Sequence, residues 1–344
     1  MQANELSAVL PAPATHKDMP ANHGRGGGIR IAYQHITPGT DLPAGLLAAV
    51  HFGGTDRPSS TTLTVHVQLD PVHGEPLSEL WYASGAVQHG AQGAIRYASD
   101  AEHLFGVIEL DERNQPDIAA AAATAYSAIA DFQRESPFPH LLRMWNYFDA
   151  INEGDGDGER YRQFCVGRSL GLSNALAAGF PAATAIGHQR ATGRLQIFWL
   201  AGRAAGKAVE NPRQLSAYRY PRLHGPVSPS FARAMSSSDG ALLISGTASI
   251  VGHSSLHDDD AIAQLEETLR NLVALRVLTH AAARHSLLKV YVRDPQQAEL
   301  IATRLHSILP AEFAGSDILY LAADICRSEL LLEIEGVQFS LPVT

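Results

Sequence analysis

The strongest constraint in this sequence is an order of secondary-structure signals that occurs twice, in residues 104–202 and again in residues 241–337. In each stretch, runs that predict strands and segments that predict helices follow as strand, helix, strand, helix, strand, strand. This order favours an α/β (α+β) fold with two related units, each a mixed sheet with two helices on one face. The two stretches share no residue-level repeat, so the alternative is an order that is simply common in α+β domains.

The helices and strands are predicted from apolar spacing and from residues typical of helix ends. In the third helix, apolar side chains recur every three or four residues from Ile262 to Leu272, and Asp258 to Asp260 supply cap and first-turn carboxylates. Pro295 and Leu309-Pro310 mark the ends of the fourth helix. The other predicted helices are 117–132 and 159–178, and the predicted strands are 46–52, 62–69, 80–84, 103–110, 141–148, 182–187, 195–200, 241–251, 287–292, 318–322 and 329–337.

The chain of 344 residues is long enough for about two domains. Residues 1–28 contain several prolines and a triple glycine without a periodic apolar face, which predicts a disordered tail. A proline-rich connector, roughly 211–229, separates the two series of elements. We therefore expect an N-terminal α/β domain over 29–210 and a C-terminal domain over 211–344, with a ligand site in the cleft between them.

Charge and apolar patterning exclude several classes of protein. The 26 basic and 35 acidic residues leave a formal charge of −9, which argues against general binding to nucleic acid. Apolar runs end well before the roughly 20 residues needed to cross a membrane, and the N-terminus lacks the basic flank and apolar core of a signal peptide. Cys165 and Cys326 are too few for a disulfide framework, so we expect free thiols and a cytoplasmic location.

Known cofactor motifs are weak or missing. His253 and His257 lie four residues apart, but no third ligand follows at a known spacing, and the neighbouring aspartates serve as a helix cap. The glycines between Gly202 and Gly206 are too close together for a dinucleotide or phosphate-binding loop. These spacings therefore give little support to a metal site or to a dinucleotide or phosphate-binding loop.

The final predicted strand offers a candidate acid. Because side chains alternate along a strand, Leu331, Glu333 and Glu335 face one way, opposite to Leu330, Leu332 and Ile334. The ordinary interpretation is one core face and one hydrated face. The alternative is that Glu333 points into a cleft near Arg327 and donates a proton, which near neutral pH requires burial that raises its pKa.

Arginines and one cysteine are further candidates. Arginines cluster in residues 160–168 and 219–222, and if the second segment is extended, Tyr220 and Arg222 share a face. Solvated surface charges are the ordinary interpretation, and guanidinium groups that bind a small dianion are the alternative. Cys326 precedes Arg327 just before the last strand, where it is either a small buried side chain or a reactive group at a pocket.

Five ordered segments carry a resemblance to a known family. In outline, the last third of the chain resembles the YjgF/RidA family, with a Gly-Pro-x-Ser segment, a Ser-Gly strand and a terminal Arg…Glu-Ile-Glu strand. From about Pro137 to Gly336 the chain is similar to the chorismatase family, most of all to the hydroxybenzoate-forming members of xanthomonad-type bacteria. The segments that carry this similarity are RYRQFCVGR, ENPRQLSAYRYPR, GPVSPSFARA, SGTASIVGHSSLH and DICRSELLLEIEG.

The resemblance implies two YjgF/chorismate-mutase-like units and an enzyme that needs no cofactor. Such an enzyme cleaves the enolpyruvyl ether of chorismate and releases pyruvate. The family's general acid falls on Glu333. Cys326 occupies the position of a cysteine that hydroxybenzoate-forming members carry, which implies 3-hydroxybenzoate, 4-hydroxybenzoate or both as products. We expect the dianionic substrate to be bound by Arg168, Arg222 and Arg327 and oriented by Tyr220.

Three alternatives stay open at this point. The first is a hydrolytic chorismatase that forms 3,4-dihydroxycyclohexa-1,5-dienoate, and the second is an imine deaminase of the YjgF type. The third is a protein without catalysis, which either binds a small anionic metabolite or uses its second unit to bury a partner's apolar face. In every case we expect no nucleic-acid partner, no membrane partner, and a monomer or weak homo-oligomer.

Overall fold

The computed structural model describes residues 28–36, 41–54, 59, 61–172, 179–278 and 284–340. Nearly all of the predicted disordered tail and the end of the predicted helix 159–178 lie outside these residues. Four helices are present: α1 (Ile118–Glu135), α2 (Arg160–Gly171), α3 (Ala261–Val277) and α4 (Ala298–Ile308). The strands are β1 (Arg30–Gln34), β2 (Leu46–Phe52), β3 (Leu63–Val67), β4 (Pro71–His73), β5 (Ser78–Tyr82), β6 (Gln88–Gln92), β7 (Ile95–Ser99), β8 (His103–Asp111), β9 (His140–Asp149), β10 (Ala182–His188), β11 (Arg194–Gly202), β12 (Lys207–Val209), β13 (Ala234–Ser236), β14 (Leu242–Thr247), β15 (Ile250–Val251), β16 (Ser254–Ser255), β17 (Arg284–Val292), β18 (Asp317–Ala322), β19 (Asp324–Ile325) and β20 (Leu332–Ser340).

Two seven-stranded sheets share one topology. Their orders are β6-β7-β8-β11-β9-β10-β19 and β12-β13-β14-β20-β17-β18-β4. In the first sheet, β11 lies antiparallel between β8 and β9, and β9 pairs in parallel with β10. In the second sheet, β20 lies antiparallel between β14 and β17, and β17 pairs in parallel with β18. The parallel pairs need a crossover connection, which α2 and α4 provide. The two-unit α+β prediction is confirmed, and the repeat also includes the preceding antiparallel strand pairs β6-β7 and β12-β13.

The helices cover the outer faces of the two sheets. Alpha-helices α1 and α2 pack on the first sheet, where buried alanines bring α1 and α2 close together, and α3 and α4 pack on the second. A third sheet, of order β1-β5-β2-β3, packs with the inner faces of both large sheets in one central core. Trp145 and Phe198 stack there with ring centroids 5.0 Å apart. Within the described ranges, none of the helices has the length and apolar character that a membrane crossing requires.

Short strands are exchanged between the two halves of the chain. Beta-strands β4 and β12, from before residue 211, pair within the second sheet, and β19 from near the C-terminus pairs with β10 of the first sheet. The domain division at residue 210 stays a prediction. Because β19 pairs with β10, the residues that follow β19 are held next to the first sheet, where the site described below lies.

The predicted strand 241–251 is two strands, which corrects the sequence interpretation. Beta-strand β14 ends at Thr247, and its register against β20 shifts between Ile244 and Thr247. Such an irregularity bends a strand and re-aims its side chains. The bend leaves Gly246 facing the site described below.

A glycine is required where β8 passes the largest side chain of β11. Gly106 lies opposite Trp199, and a Cβ at Gly106 would lie 2.3 Å from Trp199 Cζ2. We expect Gly106→Ala to reduce the free energy of unfolding by about 1–3 kcal/mol, because the buried indole must move. The measurement is urea denaturation. Gly85→Ala is the matched control, since a Cβ at Gly85 has nothing within 4 Å; equal stability of the two variants would contradict this packing argument.

Candidate active site

A cavity of about 280 Å³ opens where β10 of the first sheet contacts β14 of the second. Alpha-helix α2 forms one wall, and the chain between residues 220 and 233 forms another. The segment from Cys326 to Glu333 closes the cavity from the C-terminal side. The cavity therefore contains side chains from both units, together with Arg168, Tyr220, Cys326, Arg327 and Glu333 of the residues expected to form the site.

Glu333 lines the cavity from β20 and is 4% exposed. Burial, and then the nearby negative charge of Glu335, raise the pKa of Glu333 to about 8. Arg143 and Arg233 oppose this shift from a distance without reversing it. Among the described residues, no side chain or backbone group hydrogen-bonds or ion-pairs with this carboxyl group. Glu333 is therefore mostly a neutral acid at pH 7.

Gly246 lets the backbone of β14 approach the Glu333 carboxyl. A Cβ on Gly246 would lie 1.8 Å from Glu333 Oε1, so any other residue would displace the acid. The Gly246 N–H donates a hydrogen bond of 2.9 Å to Thr184 Oγ1, which fixes this backbone against β10. The glycine of the SGTASIVGHSSLH segment is therefore sterically required at this position.

Glu335, two residues further along the same face, has the opposite charge state. Its carboxylate lies 2.6 Å from Lys289 Nζ and 2.7 Å from Arg143 Nη2, and accepts a bond of 2.9 Å from the Trp145 indole. Burial by itself would raise the pKa of Glu335, but Lys289 and Arg143 outweigh it and hold the pKa below the usual range. Two carboxyl groups on one strand face are thus kept in different protonation states by their neighbours.

The interpretation of this strand as half hydrated is wrong. Both glutamates are buried, because the face that carries them packs against the first sheet and the four-stranded sheet. The alternative, with Glu333 in a cleft near Arg327, agrees with the observed placement.

Cys326 lies directly after β19, and its side chain lines the cavity. Burial is the main reason that the pKa of the Cys326 thiol is raised well above its usual range, with the neighbouring Glu333 adding to the shift. Cys165 on α2 lines the cavity as well, and burial raises its pKa to about 12. Both cysteines are free, as predicted. At neutral pH each is an uncharged thiol, so Cys326 is suited to pass a proton rather than to attack as a thiolate.

Arg168 and Arg327 bring positive charge to the cavity from two different segments of the chain. Arg168, 4% exposed, donates from Nη2 to the Ser230 carbonyl at 2.9 Å. Arg327 donates from Nη1 to the His253 carbonyl at 2.9 Å and to Ser255 Oγ at 3.0 Å. These bonds hold each guanidinium group in place, as pre-organised carboxylate binding requires.

Tyr220 lies between two guanidinium groups. The Arg233 and Arg327 carbons are 5.5 Å and 5.3 Å from its ring centroid, and the Tyr220 hydroxyl accepts a bond of 2.7 Å from Arg233 Nη2. The Tyr220 carbonyl in turn accepts from Ser228 Oγ at 2.9 Å. Cation–π contacts and hydrogen bonds therefore fix the tyrosine at the cavity wall.

Arg222 lies outside the cavity, which corrects its expected role. Its side chain is 66% exposed and forms a two-pronged ion pair with Asp157, at 2.8 Å and 2.5 Å. The expectation assumed an extended segment, but 217–219 and 222–224 are short 3-10 turns. The turns break the alternation that would have put Tyr220 and Arg222 on one face.

Arg162, from the 160–168 cluster, also lines the cavity, as do Arg233 and His224, which were not singled out from the sequence. Arg233 belongs to the quoted GPVSPSFARA segment, which was the signal available. Burial, and then Arg327, lower the pKa of His224 to about 4, and its Nε2 lies 3.0 Å from His253 Nδ1. Over the part of the chain that the structure describes, no three His, Cys, Asp or Glu side chains are grouped so that they could hold a metal ion.

Comparisons with known proteins agree on one family. The family model described as "Chorismatase FkbO/Hyg5-like, N-terminal" matches residues 79–201. A chorismatase of Streptomyces rapamycinicus is 36% identical in an alignment of 283 residues, and the match covers 76% of this chain and 82% of that protein. A 3-hydroxybenzoate synthase of Streptomyces hygroscopicus is 35% identical over 286 residues, again 76% and 82% of the two chains.

A solved structure extends this agreement to the fold. The crystal structure of a chorismatase superposes with a TM-score of 0.79 at 30% identity, and the match covers 90% of this chain and 98% of that one. The similarity seen in the five sequence segments is thereby confirmed over most of the chain, and this protein belongs to the chorismatase family.

Proposed function

We propose that this enzyme cleaves the enolpyruvyl ether of chorismate, releasing pyruvate, and forms 3-hydroxybenzoate. The observation that carries the proposal is a buried, neutral Glu333 without a protein partner among the described residues, in a cavity that four arginines line. An acid that stays protonated at pH 7 suits protonation of a carbon atom. The arginines suit a substrate with two carboxylates.

Arg168, Arg233 and Arg327 bind the two carboxylates in this proposal, and Arg233 replaces the exposed Arg222. The Nε atoms of Arg168 and Arg233 are buried without a hydrogen-bond acceptor among the described residues, so the protein does not fill the bonding capacity of either group. Guanidinium groups bind carboxylates with two parallel hydrogen bonds. Tyr220, held by Arg233, orients the ring of the substrate.

Glu333 donates its proton to the methylene carbon of the enolpyruvyl group. The product of this step is an oxocarbenium ion, and the carboxylate formed at Glu333 stabilises its positive charge. Water then attacks the oxocarbenium carbon and returns a proton to Glu333. The bond from this carbon to the ring oxygen breaks, so pyruvate leaves and the ring keeps a hydroxyl group. Acid catalysis by a positioned group contributes about 10²–10⁴-fold to a rate.

The aromatic product requires a further proton transfer. Together, 3-hydroxybenzoate and pyruvate contain the same atoms as chorismate, whereas the dihydroxycyclohexadienoate of the hydrolytic route contains one additional water. In the aromatising route the ring loses a proton and a hydroxyl group leaves as water. Cys326 relays this proton as a neutral thiol, taking the ring proton while giving its own to the leaving hydroxyl.

The hydrolytic reaction is the second candidate. A relative named chorismatase and one named 3-hydroxybenzoate synthase are about equally similar to this chain, at 36% and 35% identity, so identity does not decide the product. Cys326 in the cavity favours the aromatic product, as 3-hydroxybenzoate with or without 4-hydroxybenzoate. An imine deaminase of the YjgF type has less support, since it needs fewer carboxylate-binding arginines.

The working form in this proposal is a cytoplasmic monomer or weak homo-oligomer. One chain supplies both walls of the cavity and all of the proposed site residues, so no partner subunit is needed to complete the site. Two unpaired thiols in the site suit a reducing compartment.

Glu333→Gln keeps the size of the acid but removes its transferable proton. We expect pyruvate release from chorismate, followed with a coupled dehydrogenase, to fall at least about 100-fold. Arg222→Ala is the control and keeps near wild-type activity, because Arg222 is exposed and bonded to Asp157. A Glu333→Gln rate near wild type would show that another group is the acid, and a wild-type protein without pyruvate release would exclude the proposed function.

Cys326→Ala tests the relay separately from ether cleavage. We expect pyruvate release to continue while the share of 3-hydroxybenzoate falls and that of the dihydroxycyclohexadienoate rises. Chromatography of the products, including 4-hydroxybenzoate, measures this share. Cys165→Ala, which removes the other thiol of the cavity, leaves the share unchanged. An unaltered yield of 3-hydroxybenzoate in Cys326→Ala would rule out the relay.

A further inference from the structure

Behind the cavity, four charged side chains form a continuous buried array. Glu79 on β5 lies 3.0 Å from Lys289 on β17, Lys289 lies 2.6 Å from Glu335 on β20, and Glu335 lies 2.7 Å from Arg143 on β9. Each of the four side chains is at most 4% exposed. This charge array connects the four-stranded sheet to the strand that carries Glu333.

The charge array is balanced within itself. It contains two carboxylates and two cations, and none of its members lines the cavity. The Trp81 indole donates to Glu79 at 2.7 Å, which satisfies that carboxylate further. Lys289 is shared between Glu79 and Glu335, so it has no unbalanced positive charge to offer an ionised Glu333.

The tyrosines around the array are neutral at pH 7. Tyr33, Tyr147 and Tyr291 pack beside it, and burial raises the pKa of each well above the usual range. The groups that face Glu333 itself are Arg143 and Arg233 as cations, Glu335 as an anion, and the uncharged Tyr161 and Cys326. Removing one charge from the array therefore changes the local net charge by one unit.

We propose that Glu79, in the four-stranded sheet and outside the cavity, is a positioning residue that keeps Glu333 protonated by neutralising Lys289. The proposal rests on the proposed function, in which Glu333 is the acid. Without Glu79, the ammonium group gains a surplus charge next to β20, because Lys289 is paired in register with Glu335 and lies diagonal to Glu333. A buried surplus cation at that spacing favours the ionised form of Glu333.

The experiment is the pH profile of kcat for pyruvate release. In Glu79→Gln, we expect the alkaline limb to move to lower pH by about one unit. In the double variant Glu79→Gln/Lys289→Met, the array again contains equal numbers of negative and positive charges. Its alkaline limb therefore returns to the wild-type pH. Glu79→Asp keeps the charge and serves as the conservative control. A purely structural role would lower kcat at every pH without moving the limb.

Two results would overturn the proposal: a limb that stays in place in Glu79→Gln, or a double variant that stays shifted. If Glu79→Gln does not fold, Lys289→Met removes the cation that Glu79 neutralises and must move the limb to higher pH. Glu335→Gln is not a substitute, because Glu335 acts on Glu333 directly. The infrared carbonyl band of a protonated carboxyl group, taken as the difference between each protein and its Glu333→Gln counterpart, follows Glu333 without substrate. This band tests the array even if the wild type releases no pyruvate.

Discussion

The burial of one carboxyl group without a compensating cation is the constraint on which the site depends. Burying an unpaired charge costs more than folding can usually offset, so Glu333 keeps its proton instead. Glu335, on the same strand face, is ionised because Lys289 and Arg143 contact it directly. The fold thus keeps one carboxyl group of this strand face neutral and the other ionised. Gly246 completes the arrangement by leaving room for the acid.

The duplicated architecture explains how one chain builds such a pocket. The two related sheets face each other, with helices outside, and the cavity opens where β10 meets β14. Each unit contributes a different part: α2 and β10 come from the first, and β14 and β20 come from the second. The short strand β19 crosses to the first sheet and so brings Cys326 and Arg327 to the cavity. A single unit would have no second wall.

Local patterns predicted the elements, but not the long-range partners of the site. The apolar spacing and aspartate cap of α3 are local, and the helix is present as predicted. The side chains that set the charge of Glu335 are Arg143 and Lys289, and Lys289 in turn pairs with Glu79. All three are distant from Glu335 in sequence, so only the tertiary fold could identify them. The prediction that Arg222 binds the substrate was wrong for a local reason, because two 3-10 turns are present where the prediction assumed an extended segment.

The most direct measurement of the central claim is the unfolding free energy of the wild type and of Glu333→Gln as a function of pH. A carboxyl group with a folded pKa of about 8 and an ordinary value of 4.5 binds more protons folded than unfolded between these limits. The wild type should therefore lose stability relative to the variant as pH rises through this range, by up to about 1.4 kcal/mol per pH unit. Parallel curves, or a wild type that gains stability over the same range, would show that Glu333 is not a buried neutral acid.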